Sequence, residues 1–311
     1  MKRLTAQDFD QELLILFDAY VHGTIDRRGF LAGAQKFAVG GMSASMLLAA
    51  LSPNFAQAQQ VKPDDQRLKS GRVAYPSPDG HGTVNAYLVR PASASGPLPA
   101  ILVAHENRGL NPHIEDIARR LALDGFMALA PDALTPLGGY PGDEDKAREL
   151  FARLDQAKTR EDFVTGARYL KHRADCSGKL GVVGFCWGGG VAHVLATRLP
   201  ELDAAVSFYG NHPPAGEAAK VKAPLLIHFA GVDARINAAW PAYEAALKAA
   251  GVRYTAHVYA GTQHGFNNDT TPRFDAASAK LAWRRTLAFF EKTLRGQGAW
   301  DGSQVRVGSL Y

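Results

Sequence analysis

Cysteine is scarce in this chain of 311 residues, which contains only Cys176 and Cys186. So few cysteines exclude a disulfide-stapled scaffold. The two also should not pair with each other, because a predicted strand over 179–184 separates them. At ~3.3 Å per residue, that strand holds the sulfurs farther apart than the ~7 Å Cα limit of a disulfide. We therefore expect Cys186 to be a free thiol that is available for chemistry.

Long apolar runs, metal motifs and basic clusters are also missing. The stretch Phe37–Leu51 would span ~22 Å as a helix, short of the ~30 Å core of a bilayer, which argues against a membrane anchor. The ten histidines never form H-E-x-x-H, and two cysteines ten residues apart match no zinc spacing, so we expect no metal and no cofactor. The net charge of +5 is spread over pairs such as Arg119-Arg120, which argues against nucleic-acid binding.

The first 58 residues resemble an export signal. Residues 26–31 read Asp-Arg-Arg-Gly-Phe-Leu, similar to a twin-arginine motif, and Phe37–Leu51 supplies a weakly apolar stretch. Ala56-Gln57-Ala58 follows as an A-x-A type of cleavage site. This order predicts twin-arginine export to the periplasm and removal of residues 1–58.

A second pattern in the same segment favours a retained helix and a cytoplasmic protein. Thr5 to Asp8 has the spacing of a capping box. Apolar side chains then recur at the spacing of one helix face, at Phe9, Leu13, Leu16, Phe17 and Tyr20. An export signal does not need such a stripe. The alternative is therefore a helix that docks on the main domain or on a partner subunit, where it would support a homo-oligomer.

The rest of the chain divides into a polar linker over 59–70, a main domain over 71–295 and a C-terminal tail over 296–311. Eight short apolar runs predict strands, at Arg72–Tyr75, Val84–Val89, Ala100–Ala104, Phe126–Ala130, Lys179–Val183, Ala204–Phe208, Pro224–Phe229 and Tyr254–Tyr259. Turn residues at 78–82 join the first two as a hairpin. Helical periodicity separates most of the later strands, notably at Ile114–Leu123, Asp162–His172, Val191–Leu199, Ala238–Ala249 and Phe274–Leu294. This alternation predicts an eight-stranded, mainly parallel sheet with helices on both faces, for which the α/β-hydrolase fold is the best match.

The segment Gly184–Gly190 follows the fifth strand and reads Gly-Phe-Cys-Trp-Gly-Gly-Gly. Strand, tight turn and helix in this order are typical of a nucleophile elbow, here with Cys186 at the tip. The N-terminus of the following helix favours a thiolate. Glycine-rich turns of this kind also bind phosphates or allow close packing, so the segment alone leaves these alternatives open.

Asp233 and His264 complete a catalytic triad in this interpretation. They follow the seventh and eighth strands, and the order Cys186, Asp233, His264 is the order of nucleophile, acid and histidine in this fold. His264 would take the thiol proton and later protonate the leaving group, while Asp233 fixes its tautomer. The loop after the third strand and the residue after the nucleophile should supply the oxyanion hole through the backbone N–H groups of Asn107 and Trp187.

Four motifs together resemble the dienelactone hydrolase family, also called carboxymethylenebutenolidases. They are His105–Leu110, Ala130–Asp132, Gly184–Gly189 and His264–Phe266, and the resemblance covers roughly Gly71–Leu294. It implies hydrolysis of a lactone or activated ester through a thioester acyl-enzyme. It also implies that Glu106 lies near Cys186 and regulates its ionisation, because a nearby carboxylate raises the pKa of a thiol. The alternative for Glu106 is a structural salt bridge to Arg108.

The substrate site departs from the family pattern. Members that act on acidic dienelactones are expected to carry an arginine a few residues after the catalytic histidine, but 266–269 read Phe-Asn-Asn-Asp and the first arginine is Arg273. Arg148, on a predicted helix over 145–154, is a second candidate partner for a carboxylate. Candidate substrate-binding residues are Arg148, Tyr209, Phe266, Asn268 and Arg273. The two asparagines Asn267 and Asn268 and aromatic residues such as Trp187, Tyr209 and Phe266 favour a neutral or aromatic ester over a small diacid. A thioesterase, a peptidase or a non-catalytic binding or assembly protein remain alternatives.

Overall fold

The computed structural model describes residues 3–38 and 41–298. Most of the predicted C-terminal tail, from residue 299 onward, lies outside the described residues. The described part contains a small helical N-terminal segment and an α/β domain, and the linker between them ends earlier than predicted. Residues 68–70 belong to the first strand, where they pair with 89–91. The apolar pattern missed these residues because Lys69 and Ser70 are polar and exposed and Leu68 is only half-buried at the edge of the sheet.

Eight strands form one sheet: β1 (Leu68–Ser77), β2 (Gly82–Pro91), β3 (Leu98–Ala104), β4 (Met127–Pro131), β5 (Cys176–Phe185), β6 (Ala204–Phe208), β7 (Leu225–Val232) and β8 (Tyr254–Gln263). Across the sheet they lie in the order β1-β2-β4-β3-β5-β6-β7-β8. β1 and β2 are the predicted hairpin, and β2 also pairs antiparallel with β4. All other pairs are parallel. This topology confirms the predicted sheet and brings the carboxyl ends of β3, β5, β7 and β8 to one edge.

Eleven α-helices accompany the strands in the described residues: α1 (Gln11–Val21), α2 (Arg27–Ala34), α3 (Ala44–Leu51), α4 (Phe55–Ala58), α5 (Pro112–Leu123), α6 (Glu144–Ala152), α7 (Gln156–Lys171), α8 (Trp187–Arg198), α9 (Ala234–Asn237), α10 (Trp240–Ala249) and α11 (Ala276–Arg295). Side chains of α7, α8 and α10 share one buried cluster with Ala100 and Leu102 of β3. Those of α5 and α11 share the other with Ile101 and Val103. Alternate residues of one strand thus enter opposite cores, which confirms helices on both faces.

The N-terminal segment is a compact helical unit in the described residues. The apolar stripe forms α1 as predicted, but the capping box lies one turn earlier, at the 3₁₀ turn Ala6–Asp8. The cap of α1 is Asp10, whose carboxylate accepts from Glu12 N–H. α1 to α3 bury a cluster of their own, formed by Leu13, Leu14, Phe17, Tyr20, Phe30, Ala34, Leu47, Leu48 and Leu51. No helix of the described residues is long and apolar enough to span a bilayer.

Several hydrogen bonds attach this unit to the main domain. The backbone N–H of Asn54 donates to the carbonyl of Thr270 at 2.8 Å, and the side-chain amide of Gln263 donates to Gln11 at 2.7 Å. The buried carboxylate of Asp116 accepts from the N–H of Val61 at 2.8 Å. The N-terminal segment is therefore docked on the main domain, as the retained-helix alternative expects. Export by the twin-arginine route stays a prediction.

Candidate active site

Cys186 lies at the tip of a strained turn between β5 and α8. Its φ of 55° is in the left-handed region that residues with a side chain rarely adopt. The neighbouring glycines make this turn sterically feasible. A Cβ on Gly184 would meet the carbonyl oxygen of Gly188 at 1.8 Å, and one on Gly188 would meet the carbonyl oxygen of Ala104 at 2.1 Å. Strand, helix and the adjacent β3 thus approach so closely that only glycine fits, and the thiol is held above the sheet edge.

This packing leads to a stability prediction for Gly184→Ala. The added methyl group would overlap backbone atoms that cannot rotate away, so we expect a loss of at least about 3 kcal/mol in the free energy of unfolding. Urea unfolding of the purified variant measures it. Gly216→Ala is the matched control, because no heavy atom lies within 4 Å of the Cβ position there, and it should change stability by less than about 0.5 kcal/mol. Equal stability of the two variants would contradict the tight elbow.

His264 and Asp233 form a close pair beside the thiol. Asp233 caps α9, accepting from the N–H of Ile236, and its Oδ2 lies 2.6 Å from Nδ1 of His264. Both side chains are buried. The carboxylate fixes a proton on Nδ1, which turns Nε2 toward Cys186 within 4.8 Å of Sγ. This Nε2 is buried without a hydrogen-bond partner among the described residues, so it is placed to exchange a proton with a reacting group.

A second histidine contacts the thiol, and it comes from the N-terminal segment. Nε2 of His22, at the C-terminal end of α1, lies 3.5 Å from Sγ of Cys186. The rings of His22 and His264 meet edge to face with centroids 4.7 Å apart. Sequence reasoning missed His22 because 164 positions separate it from Cys186. The one signal was Asp18 four residues before His22, a helical spacing that lets a carboxylate orient an imidazole.

The electrostatics of the site favour an ionised thiol. Burial alone raises the pKa of Cys186, but the imidazoles of His264 and His22 lower it overall to about 6. Burial conversely lowers the pKa of His264, while the Cys186 thiolate and the Asp233 carboxylate raise it above its ordinary value. These two shifts describe a thiolate and imidazolium pair, the reactive form of a catalytic cysteine.

Glu106 follows β3 and lines the same small cavity as Cys186, a cavity of about 40 Å³. Its Oε2 accepts a hydrogen bond of 2.9 Å from Nδ2 of Asn268. Arg108 does not form the salt bridge proposed as the alternative for Glu106; its Nε lies 3.6 Å from Glu144. Asn268, a candidate substrate ligand, therefore binds the carboxylate of Glu106 in this structure.

The two predicted oxyanion-hole residues lie on either side of the nucleophile. Trp187 is the first residue of α8, so its N–H has no acceptor within the helix. Asn107 is in the loop after β3, and both residues border, with Cys186, an open cavity of about 640 Å³. Both residues therefore border the space from which a carbonyl group would approach the thiol.

The other candidate substrate residues are divided between pocket and core. Tyr209 and Arg148 line the 640 Å³ cavity, although the guanidinium of Arg148 also lies 4.5 Å above the ring of Tyr20. Arg273 lines the small cavity, and its Nη1 donates to Asp18 at 3.1 Å. Phe266 is fully buried against other aromatic rings, so the structure assigns it to packing rather than to the pocket wall.

Within 3–38 and 41–298, one group of side chains has the donor atoms of a metal site. Ligand atoms of His22, Cys186 and His264 lie within 4.8 Å of one another, and imidazole and thiolate are the ligands that Zn²⁺ prefers. The sequence spacing excluded a metal because His22 is so distant along the chain. These three side chains are the ones that would hold such an ion, and they are also the reacting centre.

A parallel sheet with a nucleophile elbow after β5, an acid after β7 and a histidine after β8 defines the α/β-hydrolase class. The family model described as "Dienelactone hydrolase family" matches residues 84–294. The chain therefore belongs to the dienelactone hydrolase family. A second family model, described as "YqhI-like", matches residues 1–39.

Individual relatives agree with this assignment. A "Putative carboxymethylenebutenolidase" of Escherichia coli (strain K12) is 33% identical over 247 residues, covering 75% of this chain and 90% of the relative. A "Putative hydrolase fragment YghX" of the same organism is 54% identical over 114 residues, covering 37% of this chain and 97% of the relative. The solved "Putative Dienelactone Hydrolase from Klebsiella pneumoniae subsp. pneumoniae MGH 78578" is 31% identical with a TM-score of 0.65, covering 72% of this chain and 99% of that structure.

Proposed function

We propose that the protein is a cysteine-dependent hydrolase of lactones or carboxylic esters that works through a thioester acyl-enzyme. The observation that carries this proposal is Cys186 on a strained elbow, facing a histidine that Asp233 orients at 2.6 Å. The lowered pKa of Cys186, about 6, supplies thiolate at neutral pH. The names of the relatives, which describe hydrolases of this kind, support the same reaction class.

In acylation, the thiolate of Cys186 attacks the carbonyl carbon and the backbone N–H groups of Asn107 and Trp187 stabilise the oxyanion. The tetrahedral intermediate formed by this attack then collapses, and its C–O bond to the leaving group breaks. The imidazolium of His264 gives its proton to the leaving alkoxide. In a lactone the alkoxide stays attached to the acyl group as a hydroxyl. In deacylation, Nε2 of His264 takes a proton from water, the resulting hydroxide adds to the thioester, and the C–S bond breaks to restore the thiolate.

Glu106 supplies a regulatory charge in this proposal. Its carboxylate borders the cavity of Cys186 and opposes ionisation of the thiol. Asn268 holds the carboxylate by a single hydrogen bond at 2.9 Å, so a substrate that enters the small cavity can compete for it. Movement of Glu106 away from the sulfur would then favour the thiolate when the substrate is bound.

The charges around the site favour a neutral substrate. Both arginines of the small cavity are already paired, Arg273 with Asp18 at 3.1 Å and Arg108 with Glu144 at 3.6 Å. An acidic substrate would have to displace a carboxylate to reach either guanidinium. In the open cavity of about 640 Å³, the guanidinium of Arg148 lies over the ring of Tyr20 and that of Arg235 contacts His22. The rings of Trp187 and Tyr209 are the neutral surface of this cavity.

A substrate panel tests this assignment. We expect kcat/KM for neutral aryl esters and neutral butenolides to exceed that for acidic dienelactones by at least about tenfold, a difference of about 1.4 kcal/mol. The panel also includes an acyl-CoA and a peptide, and Cys186→Ala provides the blank. Preference for the acyl-CoA or the peptide would replace the proposal by a thioesterase or a peptidase, and preference for the acidic dienelactones would overturn the neutral-substrate assignment.

A further inference from the structure

We propose that His22 is a second catalytic histidine, which α1 brings to Cys186 together with Asp18. The proposal deepens the proposed function and rests on Cys186 being the nucleophile. The thiol then has two carboxylate–histidine pairs: Asp233 with His264 from the main domain, and Asp18 with His22 from the N-terminal segment. Residues 18–22 are accordingly part of the working enzyme.

The two carboxylate–histidine pairs have similar geometry. His22 Nδ1 donates to the backbone carbonyl of Asp18 at 2.8 Å and lies 3.3 Å from the carboxylate of the same residue. A proton on Nδ1 leaves Nε2 to face Cys186 Sγ at 3.5 Å. In the other pair, Asp233 holds Nδ1 of His264 at 2.6 Å and again leaves Nε2 on the side of the thiol. Each imidazole is thus oriented by an aspartate behind it.

Contacts from two loops and from α9 of the main domain hold the end of α1 in this position. The carbonyl oxygen of Val21 accepts from Asn107 Nδ2 at 2.9 Å and from Arg108 Nη1 at 3.3 Å. Arg273 donates to Asp18 at 3.1 Å, and Arg235 Nη2 lies 3.1 Å from Nε2 of His22. The carbonyl contacts tie α1 to the β3 loop that carries the oxyanion-hole residue. A helix that merely covered the domain would not need polar contacts around the nucleophile.

The role that follows is storage of the thiol proton. In the free enzyme the S–H bond of Cys186 breaks and the proton forms an N–H bond at Nε2 of His22, 3.5 Å away, which gives a thiolate beside an imidazolium. Arg235, whose Nη2 donates to the same nitrogen at 3.1 Å, has to turn away when this proton arrives. Asp18 and the thiolate favour the charged imidazole, whereas Arg235 and His264 oppose it. The imidazolium of His264 remains the group that protonates the leaving alkoxide.

Substrate can reach the thiol while α1 is docked. The cavity of about 640 Å³ has His22 in its wall together with Cys186, Trp187 and Tyr209. An acyl group of ordinary size fits a space of this volume. His22 therefore lines the access route and does not close it, which distinguishes a catalytic contribution from a plug.

The test measures ionisation of Cys186 rather than ester hydrolysis. In full-length protein carrying Cys176→Ser, the rate of alkylation by iodoacetamide is followed by mass spectrometry from about pH 4 to about pH 9. The midpoint of the pH profile reports thiol ionisation, and the plateau at high pH reports access. We expect a midpoint near 6 in this parent protein and a rise of about one pH unit or more in His22→Gln. Asp18→Asn, which keeps the imidazole, should shift the midpoint in the same direction by a smaller amount.

His172→Gln is the matched control, because His172 is an exposed histidine that also ends a helix, and its midpoint should equal the parent value. Unchanged midpoints in both His22→Gln and Asp18→Asn would overturn the proposal. A raised kcat/KM in His22→Gln at an unchanged midpoint would also overturn it and would make α1 an inhibitory plug. The proposed function fails on a separate observation, retained hydrolysis in Cys186→Ala, so the two failures are distinguishable.

Discussion

Cys186→Ala is expected to lower kcat/KM for p-nitrophenyl acetate by about 10³-fold or more. Removing a nucleophile eliminates the covalent route, and what remains is the small rate supported by binding and the oxyanion hole. The fold should survive, because the substitution removes one sulfur from a residue that is only 8% exposed. Steady-state hydrolysis of the aryl ester at neutral pH measures the loss, and a thermal melt checks the fold.

Cys176→Ala serves as the control for this result. Cys176 begins β5, at the opposite end of the strand from the elbow, and both cysteines are free thiols. Burial raises the pKa of Cys176, so it is mostly a thiol at neutral pH and a poor nucleophile. We expect nearly wild-type kcat/KM. Equal activity of the two alanine variants would remove Cys186 from the mechanism.

Asp233→Asn is expected to lower kcat by about 10²-fold to 10⁴-fold. An amide can keep the hydrogen bond to the N–H of Ile236, so α9 retains its cap. The amide cannot stabilise an imidazolium, and its NH₂ group favours the tautomer of His264 with the proton on Nε2, where it cannot act as a base. The loss should therefore appear in kcat at every pH at which the wild type is active.

Asp275→Asn is a matched substitution away from the site. Asp275 caps α11, accepting from the N–H of Ser278 at 2.8 Å, just as Asp233 caps α9. Asparagine is an equally good cap, so kcat and stability should stay close to wild type. A loss of less than tenfold in Asp233→Asn would show that the carboxylate does not orient the catalytic base.

The sheet, and the position of Cys186, Asp233 and His264 at the carboxyl ends of its strands, could be predicted because both depend on local signals. Fully apolar strands identify a buried parallel sheet, and glycines around Cys186 identify the elbow. The side-chain directions in the loop after β8 could not be predicted. Phe266 and Asn268 follow His264 closely, yet one is in the core and the other binds Glu106. Proximity in sequence does not determine which side of a turn faces the pocket.

The N-terminal segment shows a different limit. Composition and the arginine pair suggest an export signal, whereas Leu47, Leu48 and Leu51 pack in a cluster with α1 and α2. The same apolar residues would suit an export signal or a folded helical unit, because an apolar residue in a sequence does not identify the surface that it packs against. The contact of His22 with Cys186 depends on long-range docking of α1, and no spacing along the chain encodes such a contact.

Capture of the acyl-enzyme tests the central claim most directly. Wild-type protein is mixed with a p-nitrophenyl ester, quenched in acid during the burst phase and digested, and the peptides are analysed by mass spectrometry, with Cys186→Ala as the control. The account predicts one added acyl group on the peptide that contains Cys186, released by hydroxylamine as a thioester should be, and no adduct in the control. An acyl group on any other residue, or full turnover in the Cys186→Ala protein, would contradict it.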